Sequence, residues 1–192
     1  FSRVVTFNLD EYYPMSPDDT HSYNLWMQET LFKHINIKPE NIHIPDGMTA
    51  AHDLDEYCAR YEQMIRRAGG IDLQILGIGR SGHIGFNEPG STRHSRTRVV
   101  TLDPVTRRDA ASDFFGEENV PHQAITMGVG TIMEARKTVI MAFGEHKAPI
   151  VRRAVEEDIS DAVTASFLQK HNDTTFILDH AAAGYLTPIR MP

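Results

Sequence analysis

Three segments of this 192-residue sequence place reactive side chains directly after runs that are typical of β-strands. They are Asp10–Tyr13 after Val4–Leu9, Gly77–Pro89 after Ile71–Ile78, and Gly144–Lys147 after Thr138–Phe143. In open α/β sheets, ligands bind beyond the carboxyl ends of the strands. Parallel strands would bring all three ends to one edge of a sheet. The sequence therefore predicts carboxylates, an imidazole and a lysine beside a helix N-terminus, a set that can bind an anion and transfer protons.

The glycine pattern in the second segment has two interpretations. Gly77, Gly79 and Gly82 satisfy the G-x-G-x-x-G pattern of dinucleotide-binding loops. That motif requires the third glycine to open a helix, whereas Gly85 and Pro89 interrupt the next stretch and no helical apolar pattern follows. We therefore favour a loop that binds a phosphate or a sugar, because glycines let backbone N–H groups approach an oxygen closely.

His83 and Glu88 in the same loop are candidates for proton transfer. They lie five residues apart outside any helical pattern, which is not the spacing of a helical zinc pair, and the remaining histidines show no metal-ligand spacing. Lys147 is a candidate anion ligand. A lysine at the beginning of a helix is poorly placed for the helix dipole, and a bound anion would resolve that conflict.

The elements that would position these residues alternate between strand and helix patterns. Apolar residues spaced three and four apart predict a helix that begins near Asp19-Thr20 and runs to His34, and a second over Leu54–Ile65 that ends at Gly69-Gly70. Further predicted elements are strands at Ile71–Ile78 (covered on both faces), Val99–Leu102, Thr138–Phe143 and Thr175–Leu178, and a helix over Lys147–Glu156. This order predicts an α/β fold with an open, mainly parallel, Rossmann-like sheet flanked by helices.

The length of the chain is suitable for a single α/β domain over residues 1–192. Because the sequence opens directly on a strand-like run, we expect that domain to be part of a longer chain.

Composition and charge argue against several classes of protein. The net charge of −7 and the pI near 5.8 disfavour a nucleic-acid binder, which needs a basic face. No apolar run approaches the length of a membrane span. Cys58 is the only cysteine, so the sequence offers no intrachain disulfide and no cysteine-rich zinc site. A reducing compartment is compatible with this, and we expect a cytoplasmic protein.

These segments resemble the glucosamine-6-phosphate deaminase family. Phe7–Tyr12 matches the strand-end motif of that family, and Gly82–Pro89 matches its signature loop. Ser95–Arg98 and Met127–Thr131 follow in the expected order, so the resemblance spans nearly the whole chain. The continuation Phe86–Pro89 is the specific part, because the related 6-phosphogluconolactonases share the glycine–histidine loop but not this continuation.

The resemblance implies aldose–ketose isomerisation of glucosamine 6-phosphate with loss of ammonia, giving fructose 6-phosphate, without a metal or an organic cofactor. By position, Asp10 would be the base that takes the proton from C2 and returns it at C1. His83 and Glu88 would open the pyranose ring. The phosphate contacts would come from Gly77, Gly79 and Lys147. The expected partner is a small sugar phosphate. Because the family includes hexamers, the resemblance is also compatible with a homo-oligomer.

Three features depart from the family pattern. Ser81 stands where the family has an aspartate that completes a carboxylate–histidine–carboxylate set. Asp113 stands where the family has a phosphate-binding arginine, and Arg107 or Arg108 would have to substitute for it. The family's amino-terminal portion, with its serine/threonine phosphate loop, is absent from the sequence.

Two alternatives from other functional classes stay open at this point. A hydrolase of the 6-phosphogluconolactonase type would use the same scaffold, although Asp10 and the Asn87–Pro89 continuation disfavour it. A non-catalytic domain that senses sugar phosphates would tolerate both Ser81 and Asp113, and a fold alone does not fix a function.

Overall fold

The computed structural model describes residues 1–188 and, within them, eight β-strands and five α-helices. The strands are β1 (Thr6–Phe7), β2 (Asp10–Tyr13), β3 (Ile42–His43), β4 (Leu73–Gly77), β5 (Arg98–Thr101), β6 (Gln123–Thr126), β7 (Lys137–Ala142) and β8 (Thr174–Leu178). The helices are α1 (Tyr23–Thr30), α2 (Leu54–Arg67), α3 (Pro104–Ala110), α4 (Val129–Met133) and α5 (Ala148–Glu156). Short 3-10 segments lie at Phe32–His34, Pro39–Asn41, Ala51–Asp53, Glu117–Asn119, Glu145–Lys147 and Thr164–Lys170.

The chain divides into two compact units. Unit 1 comprises Phe1–Gly70 and Arg96–Met127, and unit 2 comprises Ile71–Ser95 and the chain from Gly128 onward. Each unit contains one three-stranded sheet and its own buried core. The single domain expected over residues 1–192 stays a prediction.

Unit 1 positions Asp10 through an antiparallel sheet. Its strands run in the order β2-β6-β5, and Asp10 pairs with Thr126 at the beginning of β2. The centre of this sheet is fully buried at Ala124 and Ile125. A separate parallel pair joins β1 to β3. The hydroxyl of Tyr61 on α2 lies within hydrogen-bond distance of two carbonyl oxygens at this pair, that of Asn8 after β1 and that of His43 in β3.

Unit 2 positions the glycine loop through a parallel sheet in the order β4-β7-β8. Because β4 and β7 are parallel neighbours, Gly77–Pro89 and Gly144–Lys147 leave the same edge, as the sequence predicts for these two segments. The prediction that Asp10–Tyr13 follows a strand of the same parallel sheet is wrong, because these residues form a strand of the antiparallel sheet of unit 1. Leu76 and Ile140 are buried on one face of the sheet. Leu73 and Ile75 on the other face are 51% and 55% exposed, so the prediction that β4 is covered on both faces is wrong for residues 1–188.

The α/β class is confirmed, while two predicted element bounds are wrong. The first strand is limited to Thr6–Phe7, and Asp10 begins β2 instead of following a strand end, because β1 pairs only with the two-residue strand β3 before the chain crosses to β6. Helix α1 is capped by Ser22, whose hydroxyl accepts from the Leu25 N–H, whereas Asp19 accepts from His21. The structure confirms the second helix and its end at Gly69-Gly70. It also confirms the strands and the helix that are predicted from Ile71 onward.

In the part of the chain that the structure describes, no helix has the length and apolarity required to cross a membrane.

Candidate active site

The connection from β4 to β5 carries most of the predicted site residues, and it folds as a loop. In the described residues between Gly77 and Arg98 no helix forms, so this glycine pattern does not open a helix as a dinucleotide-binding loop does. The Gly79 N–H donates to the His83 carbonyl at 3.0 Å, and the Gly82 N–H donates to the Gly79 carbonyl at 3.0 Å. Gly82 has a φ of +84°, a conformation that residues with a Cβ rarely adopt. These features close a tight turn that holds His83 against Gly79.

Two side chains contact the same nitrogen of the His83 imidazole. Nδ1 lies 2.9 Å from Ser81 Oγ and 3.2 Å from Glu88 Oε2. The side chains of His83 and Glu88 are only 15% and 13% exposed, which strengthens their electrostatic interaction. The Glu88 contact is an ion pair when the imidazole is protonated, whereas the direction of the Ser81 contact depends on the tautomer. The structure thus brings Ser81, His83 and Glu88 together, and their catalytic roles stay predictions.

The His83 ring also explains why residue 79 is a glycine. A Cβ at Gly79 would lie 2.1 Å from Nε2 of His83, far inside contact distance. Gly77 is different, because a Cβ there meets nothing within 4 Å. A Cβ at position 79 would therefore displace the imidazole from this position, and the phosphate contacts of Gly77 and Gly79 stay predictions.

Lys147 lies at the carboxyl edge of the same parallel sheet. It precedes α5, and its Nζ donates to the carbonyl of Ile78 at 2.7 Å. Gly144 begins this connection with a φ of +89°, and its N–H donates to the carboxylate of Asp179 beyond β8. The backbone N–H donors of Ala182 and Gly144 hold the pKa of Asp179 below its ordinary value. The hydrogen bond to Ile78 holds the ammonium group of Lys147 at the first residue after β4, and its phosphate role stays a prediction.

In unit 1, the carboxylate of Asp10 has the properties of a base that works near neutral pH. Burial, assisted by the negative charge of Glu11, raises its pKa from 3.8 to about 7. Within residues 1–188 its side chain accepts no hydrogen bond that would favour the ionised form. A carboxyl group with a pKa near the working pH can both take and return a proton.

Glu11 is a carboxylate that sequence reasoning left without a role. It is 1% exposed and accepts hydrogen bonds from the N–H groups of Tyr12, Tyr23 and Asn24 at 2.9, 3.1 and 2.9 Å. Burial raises the pKa of Glu11, and these three donors oppose the rise. Successive strand residues point to opposite faces, which separates Glu11 from Asp10. Glu11 therefore fixes the N-terminus of α1 onto β2.

The two arginines that could replace the family's phosphate ligand differ in their contacts. The guanidinium of Arg107 donates to the carbonyl oxygens of Glu117 and Val120, at 2.7 and 3.3 Å, so it braces that turn of unit 1. Arg108 is exposed and lies 3.8 Å from the Glu117 carboxylate. Asp113 is exposed immediately before the buried Phe114. Arg107 is a structural residue, and the phosphate role of Arg108 stays a prediction.

The chemistry available in these residues is proton transfer. Unit 2 offers an imidazole paired with a carboxylate, and unit 1 offers a carboxyl group that titrates near pH 7. Across residues 1–188, no group of three or more histidine, cysteine, aspartate or glutamate side chains is arranged to hold a metal ion.

Comparison with known proteins gives a consistent result over nearly the whole chain. The family model for glucosamine-6-phosphate isomerases and 6-phosphogluconolactonases matches residues 1–177. Glucosamine-6-phosphate deaminase 2 of Bacillus subtilis (strain 168) is 52% identical over 186 residues, which cover 95% of this chain and 74% of that protein.

Two solved structures extend the comparison to the fold. A monomeric glucosamine-6-phosphate deaminase superposes with a TM-score of 0.92 at 44% identity, covering 96% of this chain and 76% of that one. A 6-phosphogluconolactonase from Trypanosoma cruzi superposes with a TM-score of 0.75 at 23% identity, covering 96% and 73% of the two chains, and this likeness concerns the fold alone. The chain belongs to the family of glucosamine-6-phosphate isomerases and 6-phosphogluconolactonases.

Proposed function

We propose that this protein converts glucosamine 6-phosphate and water into fructose 6-phosphate and ammonia. The observation that carries the proposal is the pairing of His83 with Glu88 at 3.2 Å. Glu88 belongs to the Phe86–Pro89 continuation, which the related lactonases do not share. The identity of 44–52% to proteins named as glucosamine-6-phosphate deaminases supports the same choice.

The first proposed step opens the sugar ring. The ring oxygen must gain a proton while the hydroxyl at C1 loses one, so the step requires a group that can exchange a proton. His83 performs this exchange, and the negative charge of Glu88 beside Nδ1 stabilises the protonated imidazole. General acid–base help of this kind is worth roughly 100- to 10,000-fold in rate.

The second proposed step moves a proton between adjacent carbons. Asp10 takes the proton from C2 of the open-chain amino sugar, and the aldehyde oxygen at C1 gains a proton, which gives an enolamine. Asp10 then returns a proton to C1 while the nitrogen loses one, so that a hydroxyl stands at C1 and a C=N bond at C2. Water then adds to C2 and ammonia leaves, so that the ketose remains. A base with a pKa of about 7 suits this step, because it is ionised above neutral pH yet readily gives its proton back.

The phosphate is bound, in this proposal, by the glycine loop with Gly77 and Gly79, and by Lys147. The 2.7 Å bond from Lys147 to Ile78 supports this assignment because it keeps the ammonium group at the beginning of that loop. Arg108 is a further candidate phosphate ligand from unit 1. The proposal needs no metal or organic cofactor, and it expects a cytoplasmic protein, whereas self-association stays open.

One assay separates this proposal from its alternatives. The complete protein is incubated with glucosamine 6-phosphate, and ammonia and fructose 6-phosphate are both quantified. We expect equal amounts of the two products and no comparable hydrolysis of 6-phosphogluconolactone. Lactone hydrolysis without ammonia release would favour the hydrolase, and tight binding of sugar phosphate without any turnover would favour the sensor.

A further inference from the structure

We infer that Thr164 is a positioning residue that sets the geometry of the His83–Glu88 pair. The inference rests on the proposed function, because it assigns Thr164 a part in ring opening. The hydroxyl of Thr164 acts on the backbone that carries His83 and Glu88.

The hydroxyl of Thr164 connects two points of the loop that lie between these side chains. Its Oγ1 accepts a hydrogen bond from the Ile84 N–H at 3.3 Å and donates one to the Asn87 carbonyl at 2.9 Å. Ile84 directly follows His83, and Asn87 directly precedes Glu88. A hydroxyl group can donate and accept at once, which an aliphatic side chain of the same shape cannot do.

The position of Thr164 is itself well defined. Its side chain is 1% exposed, in the 3-10 segment Thr164–Lys170. The adjacent Ala165 N–H donates to the Gly82 carbonyl at 2.9 Å, on the other side of His83. Gly82 fits closely at this contact, since a Cβ there would lie 2.6 Å from Cγ1 of Val163. The segment Val163–Ala165 therefore brackets His83 from both sides.

Bonds within the loop complete this bracket. The side-chain amide of Asn87 donates to the Ile84 carbonyl at 2.8 Å, so the two residues that Thr164 joins are also joined to each other. Beyond Glu88, the Gly90 N–H donates to the Asp161 carbonyl at 2.9 Å. The loop is thus anchored at Gly82, at Ile84–Asn87 and at Gly90, and Thr164 provides the central anchor.

Loss of the hydroxyl should alter the distance between the imidazole and the carboxylate without changing either group. Misplacement of a catalytic group by about 1 Å can cost on the order of 100-fold in rate. The Thr164→Val variant keeps the shape of the side chain and removes both hydrogen bonds, while Thr164→Ser keeps the hydroxyl. Thr138→Val is a matched control, because Thr138 is a fully buried threonine of unit 2 whose hydroxyl bonds to Thr174 and not to the loop.

The experiment measures kcat and KM of the complete protein with glucosamine 6-phosphate. We expect Thr164→Val to lower kcat by about 10- to 100-fold with little change in KM, Thr164→Ser to stay within about threefold of the parent, and Thr138→Val to do the same. If Thr164→Val does not fold, Thr164→Ala removes the same hydroxyl without filling its space. The inference would be overturned if Thr138→Val or Thr164→Ser lost as much kcat as the variant that lacks the Thr164 hydroxyl.

A second readout does not depend on turnover. The ¹⁵N resonances of the His83 ring report its tautomer and the surroundings of its two nitrogens in the substrate-free protein. We expect Thr164→Val or Thr164→Ala to shift both ring resonances, and Thr138→Val to leave them in place. Absence of ammonia release by the parent protein would reject the proposed function alone, whereas unchanged ring resonances in the variant lacking the hydroxyl would reject the positioning role.

Discussion

The reactive groups of the two units are held in opposite ways. The backbone of Asp10 in unit 1 pairs within an antiparallel sheet, while its carboxylate accepts no hydrogen bond in residues 1–188, so burial, assisted by the charge of Glu11, sets its pKa. His83 in unit 2 lies in an irregular loop, yet its ring is oriented by Ser81 and Glu88 and its backbone by Val163–Ala165. A side chain can therefore be prepared for proton transfer in two ways, either by burial away from water or by contacts with neighbouring polar side chains. Burial changes the pKa of the Asp10 carboxyl group, whereas the contacts of His83 fix the orientation of its ring.

The largest effect is expected from removing the base. Asp10→Asn keeps the shape of the side chain but cannot accept the C2 proton, so kcat should fall by roughly 100- to 10,000-fold. Affinity for the sugar phosphate should stay close to that of the parent, because the loss concerns the chemical step. Steady-state kinetics together with calorimetric binding of an unreactive sugar phosphate measures both quantities. A fall in affinity with unchanged kcat would indicate that Asp10 binds the substrate instead.

The pH dependence of the parent protein should show the same carboxyl group. Asp10 acts as a base only when it is ionised, and its pKa is about 7. We therefore expect kcat/KM to fall about tenfold for each pH unit below 7, since this parameter reports groups of the free enzyme. A profile that stays flat down to pH 5 would contradict the raised pKa.

The raised pKa of Asp10 also predicts an effect on stability. Between pH 3.8 and about 7 the folded protein binds the proton that the unfolded chain releases, so stability falls as the pH rises through this window. Asp10→Asn should therefore be more stable than the parent at pH 8 by roughly 2–4 kcal/mol, and the difference should disappear near pH 4. Urea unfolding at the two pH values measures it.

A matched control for this prediction is present in the same unit. Hydrogen bonds from the backbone and side chain of His21 hold the pKa of Asp19 below its ordinary value. Its contribution to stability is therefore present above the unfolded pKa and is lost at lower pH. Asp19→Asn should accordingly lower stability at pH 8. The same sign for both variants would mean that the pKa differences do not cause the effects.

The smallest effect is expected at Ser81. Its hydroxyl lies 2.9 Å from Nδ1 of His83 and supplies no charge. Ser81→Asp should increase turnover of the cyclic sugar severalfold, since a carboxylate near a catalytic histidine stabilises its protonated form. Ser81→Asn tests shape without charge and should give no such gain. If Ser81→Asp is no faster than the parent, the lack of a carboxylate at position 81 does not limit turnover, and this prediction is wrong.

The sequence was sufficient for the local elements and for the chemistry of single residues. Apolar periodicity located α2, β7 and α5, and the interrupted glycine pattern correctly argued against a helix after Gly82. Period and spacing carry this information because they depend on neighbours along the chain.

Pairing between distant segments could not be obtained in the same way. Nothing in the Val4–Tyr13 sequence indicates that β1 ends at Phe7 or that Asp10 pairs with Thr126, because β-pairing depends on the partner strand. The carboxylates of Asp10 and Glu11 are neighbours in sequence, and only the position of α1 explains their different surroundings. The sequence around Thr164 does not indicate its proposed role, because that role depends on contacts with residues 77 and 80 positions away in the chain.

The role of Asp10 in proton transfer can be tested by following hydrogen at the reacting carbons. The complete protein and Asp10→Asn are given glucosamine 6-phosphate in deuterium oxide, and deuterium at C2 of the substrate and C1 of the product is measured over time. We expect deuterium at these carbons with the parent protein, because the proton held by Asp10 exchanges with solvent before it is returned, and none above background with Asp10→Asn despite retained binding. Incorporation by Asp10→Asn at the parent rate would contradict the claim that Asp10 transfers the proton.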